Sequence, residues 1–314
     1  MPIFGIRRSA RPRLAPELDD SRLGRVCKQL QAPPTPGLVD IQIEQVAQVI
    51  RDAETDWDRR AHRSAVLADR AADSHLAQAW LRRQPDNADA LILQARVDLV
   101  LGSREGALAD AQSTIDTCHR AADLQPDDPT PWVVLLGVLR LMHRPSREVF
   151  PVWHEVLARD TWHREAYLQM LGYLSPDECG SHAQVLDFID VVRSRMPSDA
   201  PAVSMELTAG VERHRKTVRG GGVNAILASR QWANPPASTA LDQAFNNWTK
   251  PGFLHHAAAL ADLNLLAYTL VQANRILDAA EAFRMIGTTV TPWPWRLNGD
   301  PLEQFAHWQE RALR

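Results

Sequence analysis

A chain of 314 residues, 45% of them apolar and 23% charged, suits two ordinary domains or one elongated repeat, and it is too apolar to be disordered. With 35 basic and 38 acidic residues the net charge is −3, which offers no field to nucleic acid or an anionic membrane. The longest apolar run, residues 132–139, is far too short to span a bilayer. Three scattered cysteines (Cys27, Cys118, Cys179) form neither a disulfide framework nor a paired metal motif, so the chain reads as cytoplasmic.

Residues 1–18 carry Arg7, Arg8, Arg11 and Arg13 with three prolines and no apolar segment behind them. They read as a flexible basic arm and not as a secretory signal. A short helix is expected from Asp20 to about Gln31, stopped by the prolines at 33, 34 and 36. A broad apolar stripe (Leu38, Ile41, Ile43, Val46, Val49, Ile50) follows at helical spacing. Asp56-Trp57 opens another helical region that runs to Arg83.

Two turns then organise the chain. Gln84-Pro85-Asp86 and Gln125-Pro126-Asp127 stand 41 residues apart with a helical pattern between them, and Pro197 lies 71 residues beyond Pro126. Recurrence at this spacing marks stacked helix pairs. The first pair is expected to break at Gly102, with its second helix from about Ser103 to Leu124. Thr130-Pro131 reads as an N-cap with proline at the first helical position. Residues 132–142 are apolar nearly all round, as in a buried helix. In the partner helix Pro151 is expected in the first turn. A further helix covers about Thr161 to Leu174. Ser175-Pro176-Asp177-Glu178 has the composition of a capping box, although Cys179-Gly180-Ser181 can delay the next helix to Ser181 or His182. Residues 200–219 are helical and end in Arg213, Arg215, Lys216 and Arg219, before Gly220-Gly221-Gly222. The segment from there to Gly252 reads as irregular, with Pro235-Pro236 dividing short helices. A strong pair covers about Phe253 to Ile286, and Asp300-Pro301-Leu302-Glu303 starts a terminal capping helix.

In residues 263–292, Leu263-x2-Leu266-Ala267-x2-Leu270 precedes Ala279-x3-Phe283 and Pro292, the large-small-large arrangement of a tetratricopeptide motif. Over about residues 55–292 the chain resembles tetratricopeptide-like helical-repeat proteins. It is similar to those of actinobacteria in Ala166-Tyr167-Leu168-Gln169-Met170-Leu171 through Gly180-Ser181-His182. The resemblance implies an all-α solenoid of stacked antiparallel helix pairs, a single domain from residue 19 to 314, whose concave face binds a protein or peptide. The repeat spacing is irregular, no repeat carries every marker, and residues 220–252 fit none.

Candidate chemistry is sparse. His154-Glu155 with His163 does not have zinc-protease spacing, and adjacent histidines such as His255-His256 point about 100° apart on a helix. The three glycines lack the lysine and strand of a phosphate loop. Ten tryptophans stand out against three tyrosines. Trp57, Trp80, Trp132 and Trp153 lie in helical stripes, whereas Trp293-Pro294-Trp295-Arg296 sits on a proline-bound segment. That segment either presents an interaction hot spot or folds back and buries both rings; burial is favoured, since exposed indoles invite aggregation.

The sequence is therefore read as a non-catalytic scaffold with no cofactor, metal, nucleic acid or membrane partner, and with a homo-oligomer allowed. First-helix positions nominate Arg96, Arg140, His143, Tyr167 and Tyr173 for partner binding, joined by Trp293, Trp295 and Arg296. The alternatives are a metal-dependent or small-molecule enzyme around His143, His154 and His163, and a peptide-sensing regulator.

Overall fold

The computed structural model describes residues 11–31, 37–221 and 230–314; the stop signal at Pro33, Pro34 and Pro36 and the third glycine of the run, Gly222, lie outside the described residues. The described chain is all-α, with fifteen α-helices and one two-residue strand pair. Its contacts divide it into two compact units. One comprises Asp20–Ala209 with Leu254–Ala258, and the other Gly210–Phe253, Ala259–Arg314 and the described residues up to Asp19.

The N-terminal unit holds α1 (Ser21–Leu30), α2 (Val39–Arg51), α3 (Trp57–Ala71), α4 (Leu76–Arg83), α5 (Ala88–Glu105), α6 (Ala111–Leu124), α7 (Thr130–Leu141), α8 (Ser146–Arg159), α9 (Arg164–Tyr173) and α10 (His182–Arg193). Helix α5 packs on α6 and α7, α6 on α7, and α7 on α8 and α9. Each first helix thus touches its own partner and the first helix of the next pair. Helix α3 reaches α7 and α9 as well as α5, so the first helices close on one another. One apolar cluster, with Leu23, Val46, Leu67, Trp80 and Leu93, fills the space among α1–α5. A second, with Val134, Leu136, Val149, Trp153, Met170 and Ile189, fills α5–α10.

The helix ends follow side-chain chemistry. Asp20, Asp56, Asn87, Asp110 and Ser181 each accept a backbone N–H in the following first turn. Ser181, not Ser175, therefore starts α10. Helix α5 does not break at Gly102. It passes through and ends at Gly106 (φ 84°), and Gly102 is small because Leu108 Cδ2 would lie 2.8 Å from an added Cβ. The second helix accordingly starts at Ala111, later than Ser103. Thr130 is inside α7, with Pro129 at the N-cap position, and its N–H donates to Asp128 Oδ1 at 2.7 Å. Pro151 lies in the interior of α8, past the first turn; it is on the exposed side, where water can reach the carbonyl left without a partner N–H.

The C-terminal unit holds the part of α11 (Met205–Arg219) from Gly210 on, α12 (Ala237–Trp248), α13 (Ala259–Gln272), α14 (Ile276–Ile286) and α15 (Pro301–Leu313). The segment expected to be irregular contains α12, a twelve-residue helix whose Ala237, Ala240, Leu241, Ala244 and Trp248 make one buried stripe. Residues 13–18 are no free arm. Strand β1 (Arg13–Leu14) pairs in parallel with β2 (Thr289–Val290), and Ala15, Glu17 and Leu18 are buried. Residues 1–10, with Arg7 and Arg8, lie outside the described residues. Helix α15 packs on α14, with Asp300 accepting from Leu302 and Glu303 N–H groups at 2.9 and 3.0 Å.

Candidate functional site

The two Gln-Pro-Asp turns converge. Residues Asp86–Asp89, which lead into α5, and Leu124-Gln125 at the end of α6 line a cavity of about 370 Å³ with Arg51 and Arg60. Arg60, from α3, is buried there. Its Nε donates to Asp128 Oδ2 at 2.9 Å and its Nη2 to Gln125 Oε1 at 3.1 Å and to Asp89. Burial pushes the Asp89 carboxyl upward, against the pull of Arg60. The repeated turn is thus a device for holding one buried guanidinium, which donates to two carboxylates, Gln125 and, through Nη1 at 3.5 Å, Ile50 O.

Between α3, α5 and α9 the interior is charged. Arg96 (4% exposed) forms a two-pronged pair with Glu165, at 2.9 and 2.8 Å. Burial acts to raise the Glu165 carboxyl, but Arg96 wins and holds it below the ordinary range. His163 caps α9 by accepting from Ala166 N–H at 3.4 Å through Nδ1. That bond places the proton on Nε2, which is buried with no hydrogen-bond partner, as is Nε2 of His62 on α3. Burial depresses the His62 imidazole, only partly offset by Asp58. Asp58, one turn before His62, accepts the backbone N–H of Ala257 at 2.7 Å. Ala257 belongs to Leu254–Ala258, the short non-helical and turn segment that packs within this unit.

A third cluster lies where α7 and α9 end. Arg140 donates to Glu178 through Nε (2.6 Å) and Nη2 (2.5 Å) and to Gln169 through Nη1 (2.7 Å). Gly172 makes room for it: an added Cβ would stand 2.2 Å from the guanidinium carbon. Just beyond, exposed His143 adopts a left-handed backbone (φ 52°), costing about 1 kcal/mol in a non-glycine residue. Its Nδ1 lies 3.7 Å from the exposed Cys179 Sγ. Cys179 is fixed by its N–H to Tyr173 O at 3.1 Å, and Gly180 is obligatory because a Cβ would meet Leu174 O at 2.1 Å. Burial and then Glu178 raise the Cys179 thiol above its ordinary value, so at neutral pH it is no standing thiolate.

Of the nominated residues, the structure brings Arg140, His143 and Tyr173 to one region, but Tyr173 is buried with its hydroxyl donating to Arg144 O at 2.9 Å. Arg96 and Tyr167 are interior, Tyr167 edge-on to Trp153 with its hydroxyl on Thr161 O. These three were nominated from helix position alone, and the closure of first helix on first helix hides them. In the C-terminal unit Trp295 is 1% exposed among Tyr268, Phe283 and Phe305, with Nε1 donating to Asn264 at 3.0 Å. Trp293 is half-buried against Glu212, and Arg296 is exposed. His143, His154 and His163 do not form a site: His154 is exposed on α8, His163 is fully buried, and His143 faces Cys179. Among the described residues no three His, Cys, Asp or Glu side chains are placed to hold a metal ion, and no helix is long and apolar enough to cross a membrane. Sequence reasoning missed Asp58, His62 and Cys179; Gly180 beside Cys179 was the one signal of a forced loop. Comparison with family models and with curated proteins returns no match for the chain.

Proposed function

We propose that the N-terminal unit is a tetratricopeptide-like stack of helix pairs that binds an extended segment of protein or peptide, without catalysis. Helix contacts that step from α3 through α9, each first helix on the next, support a solenoid reading. The observation that carries the function is the Asp58 carboxylate on the backbone N–H of Ala257. A charged side chain on a first helix already holds a non-helical stretch of polypeptide by its main chain, the sequence-tolerant part of peptide recognition. A partner segment takes the same contact, and the adjoining polar interior of His62, His163 and Glu165 supplies selectivity.

The test uses the whole chain with Leu254–Ala258 replaced by glycine and serine, and a labelled peptide of residues 251–260. Binding by fluorescence anisotropy, lost on Asp58→Ala in that background, is expected. If the peptide fails to bind the replaced chain while circular dichroism shows an intact fold, the reading falls.

A further inference from the structure

The cavity at the two Gln-Pro-Asp turns holds an unanswered charge. Arg60 stands between Asp89 (7% exposed) and Asp128 (1% exposed), one buried cation against two buried carboxylates. Asp89 uses only Oδ1, which accepts from Arg60 Nη2. Among the described residues its Oδ2 has no hydrogen-bond partner, yet that atom is not sealed from solvent, and the residue lines the cavity. A carboxylate oxygen more than nine-tenths buried and open toward a cavity calls for an N–H donor. The surplus negative charge calls for a cationic one. Burial pushes the Asp89 carboxyl upward, a cost that a bound cation offsets.

A bare cation does not suit the rest of the lining. Asn87 takes the N–H of Ala90 on its side chain and that of Leu91 on its carbonyl. The N–H groups of Ala88 and Asp89 are left without an intrahelical acceptor, at the positive end of the eighteen-residue α5. Arg51, exposed where it lines the cavity, spends Nη2 alone, on Glu44 and Gln48 at 2.7 and 3.0 Å. Its Nε and Nη1 stay available to an anion. The other acid of the lining, Asp86, is exposed and faces Arg120 at 3.4 Å. The open acceptor and the open donors meet in one residue, the carboxylate and the N–H of Asp89, so the ligand's two charges have to lie within a few bonds of each other. Leu124, 44% exposed, adds an apolar wall. At about 370 Å³ the cavity stands at the small end of the roughly 300–1,000 Å³ of small-molecule sites.

We propose that this cavity binds a free α-amino acid with an apolar side chain. The ammonium donates to Asp89 Oδ2, the carboxylate accepts from the Ala88 and Asp89 N–H groups and from Arg51, and the side chain lies on Leu124. This inference does not depend on peptide binding, which uses Asp58 elsewhere in the unit.

The experiment is isothermal titration calorimetry of the full chain with L-leucine, L-isoleucine, L-valine and L-methionine. Two analogues of leucine are run beside them: 3-methylbutylamine, which lacks the carboxylate, and 4-methylpentanoate, which lacks the ammonium. At least one of the four amino acids is expected to bind at one site per chain, and both analogues to bind weaker by about tenfold or more. Asp89→Asn and Arg51→Gln are each expected to weaken the amino acid by a similar factor, and Arg147→Gln, on the exposed turn before α8, to behave as wild type. Should Asp89→Asn lose its fold by circular dichroism, Arg51→Gln decides, since that side chain is exposed and its removal leaves the buried pairs intact. No binding by any of the four, an analogue that matches leucine, or binding indifferent to Arg51→Gln would each overturn the proposal.

Discussion

The two units solve the same packing problem with opposite materials. In the N-terminal unit buried charge is set among the first helices beside the two apolar clusters: Arg60 with Asp89 and Asp128, Arg96 with Glu165, and two imidazole nitrogens without partners. In the C-terminal unit α13, α14 and α15 close on stacked and edge-on rings of Tyr268, Phe283, Trp295 and Phe305, with Trp295 tied by its Nε1–H to Asn264. An aromatic interior is stabilised by area and tolerates modest change. A charged interior is held by its pairings, and losing one partner strands the others. The N-terminal unit is therefore the one whose stability hangs on individual side chains.

Arg60→Ala gives the largest effect. It leaves two buried carboxylates and Gln125 facing a void, and a loss of about 3–5 kcal/mol is expected, measured as an earlier urea transition. In the contrasting unit Trp295→Phe keeps most of the ring contacts and removes the hydrogen bond to Asn264. A cost of about 1–2 kcal/mol is expected in the same measurement. If Trp295→Phe proves the more costly of the two, the contrast between charge-held and area-held interiors is wrong.

The same contrast explains what could be read from the sequence. All-helical character, the cap at Asp300 and the stripes of α13 and α14 were legible, because each depends on residues a few positions apart. The Gln-Pro-Asp repeat was read as a mark of stacked pairs, yet gave no sign that both turns converge on Arg60, since that partnership joins residues 65 to 68 apart. Arg96 looked like a binding residue for a similar reason: an arginine on an apolar helix appears free until its carboxylate, 69 residues away, is known. Helix α12 was expected only as a short helix in a mixed segment, because its stripe is mostly alanine and gives a weak apolar signal behind the prolines. Cys179 and His143 were visible as residues, but their approach depends on how α7 and α9 end.

The gentlest way to separate the two interiors is pH. His62 has its folded pKa depressed, first by burial and then through Arg164, while Asp58, Asp20 and Glu165 pull the other way. An unfolded imidazole takes up its proton near 6.5, before the folded one does, so stability is full above that pH and falls as pH drops below it. The raised carboxyls Asp89, Asp98, Asp160 and Glu206 act in the opposite sense, since protonation relieves the cost of their burial. Comparing wild type with His62→Gln cancels that contribution. In the C-terminal unit the resolved shifts are upward ones at Tyr268, to about 12, and Arg275, and neither group titrates between pH 5 and 7. Hydrogen exchange followed by mass spectrometry from pH 7.5 to 5.5, with rates corrected for intrinsic pH dependence, is expected to show protection falling in α3 and α9 of the wild type. Protection in α13 and α14 should hold, and the fall in α3 and α9 should shrink in His62→Gln. An equal loss in both units would mean that buried charge does not set the acid response of this protein.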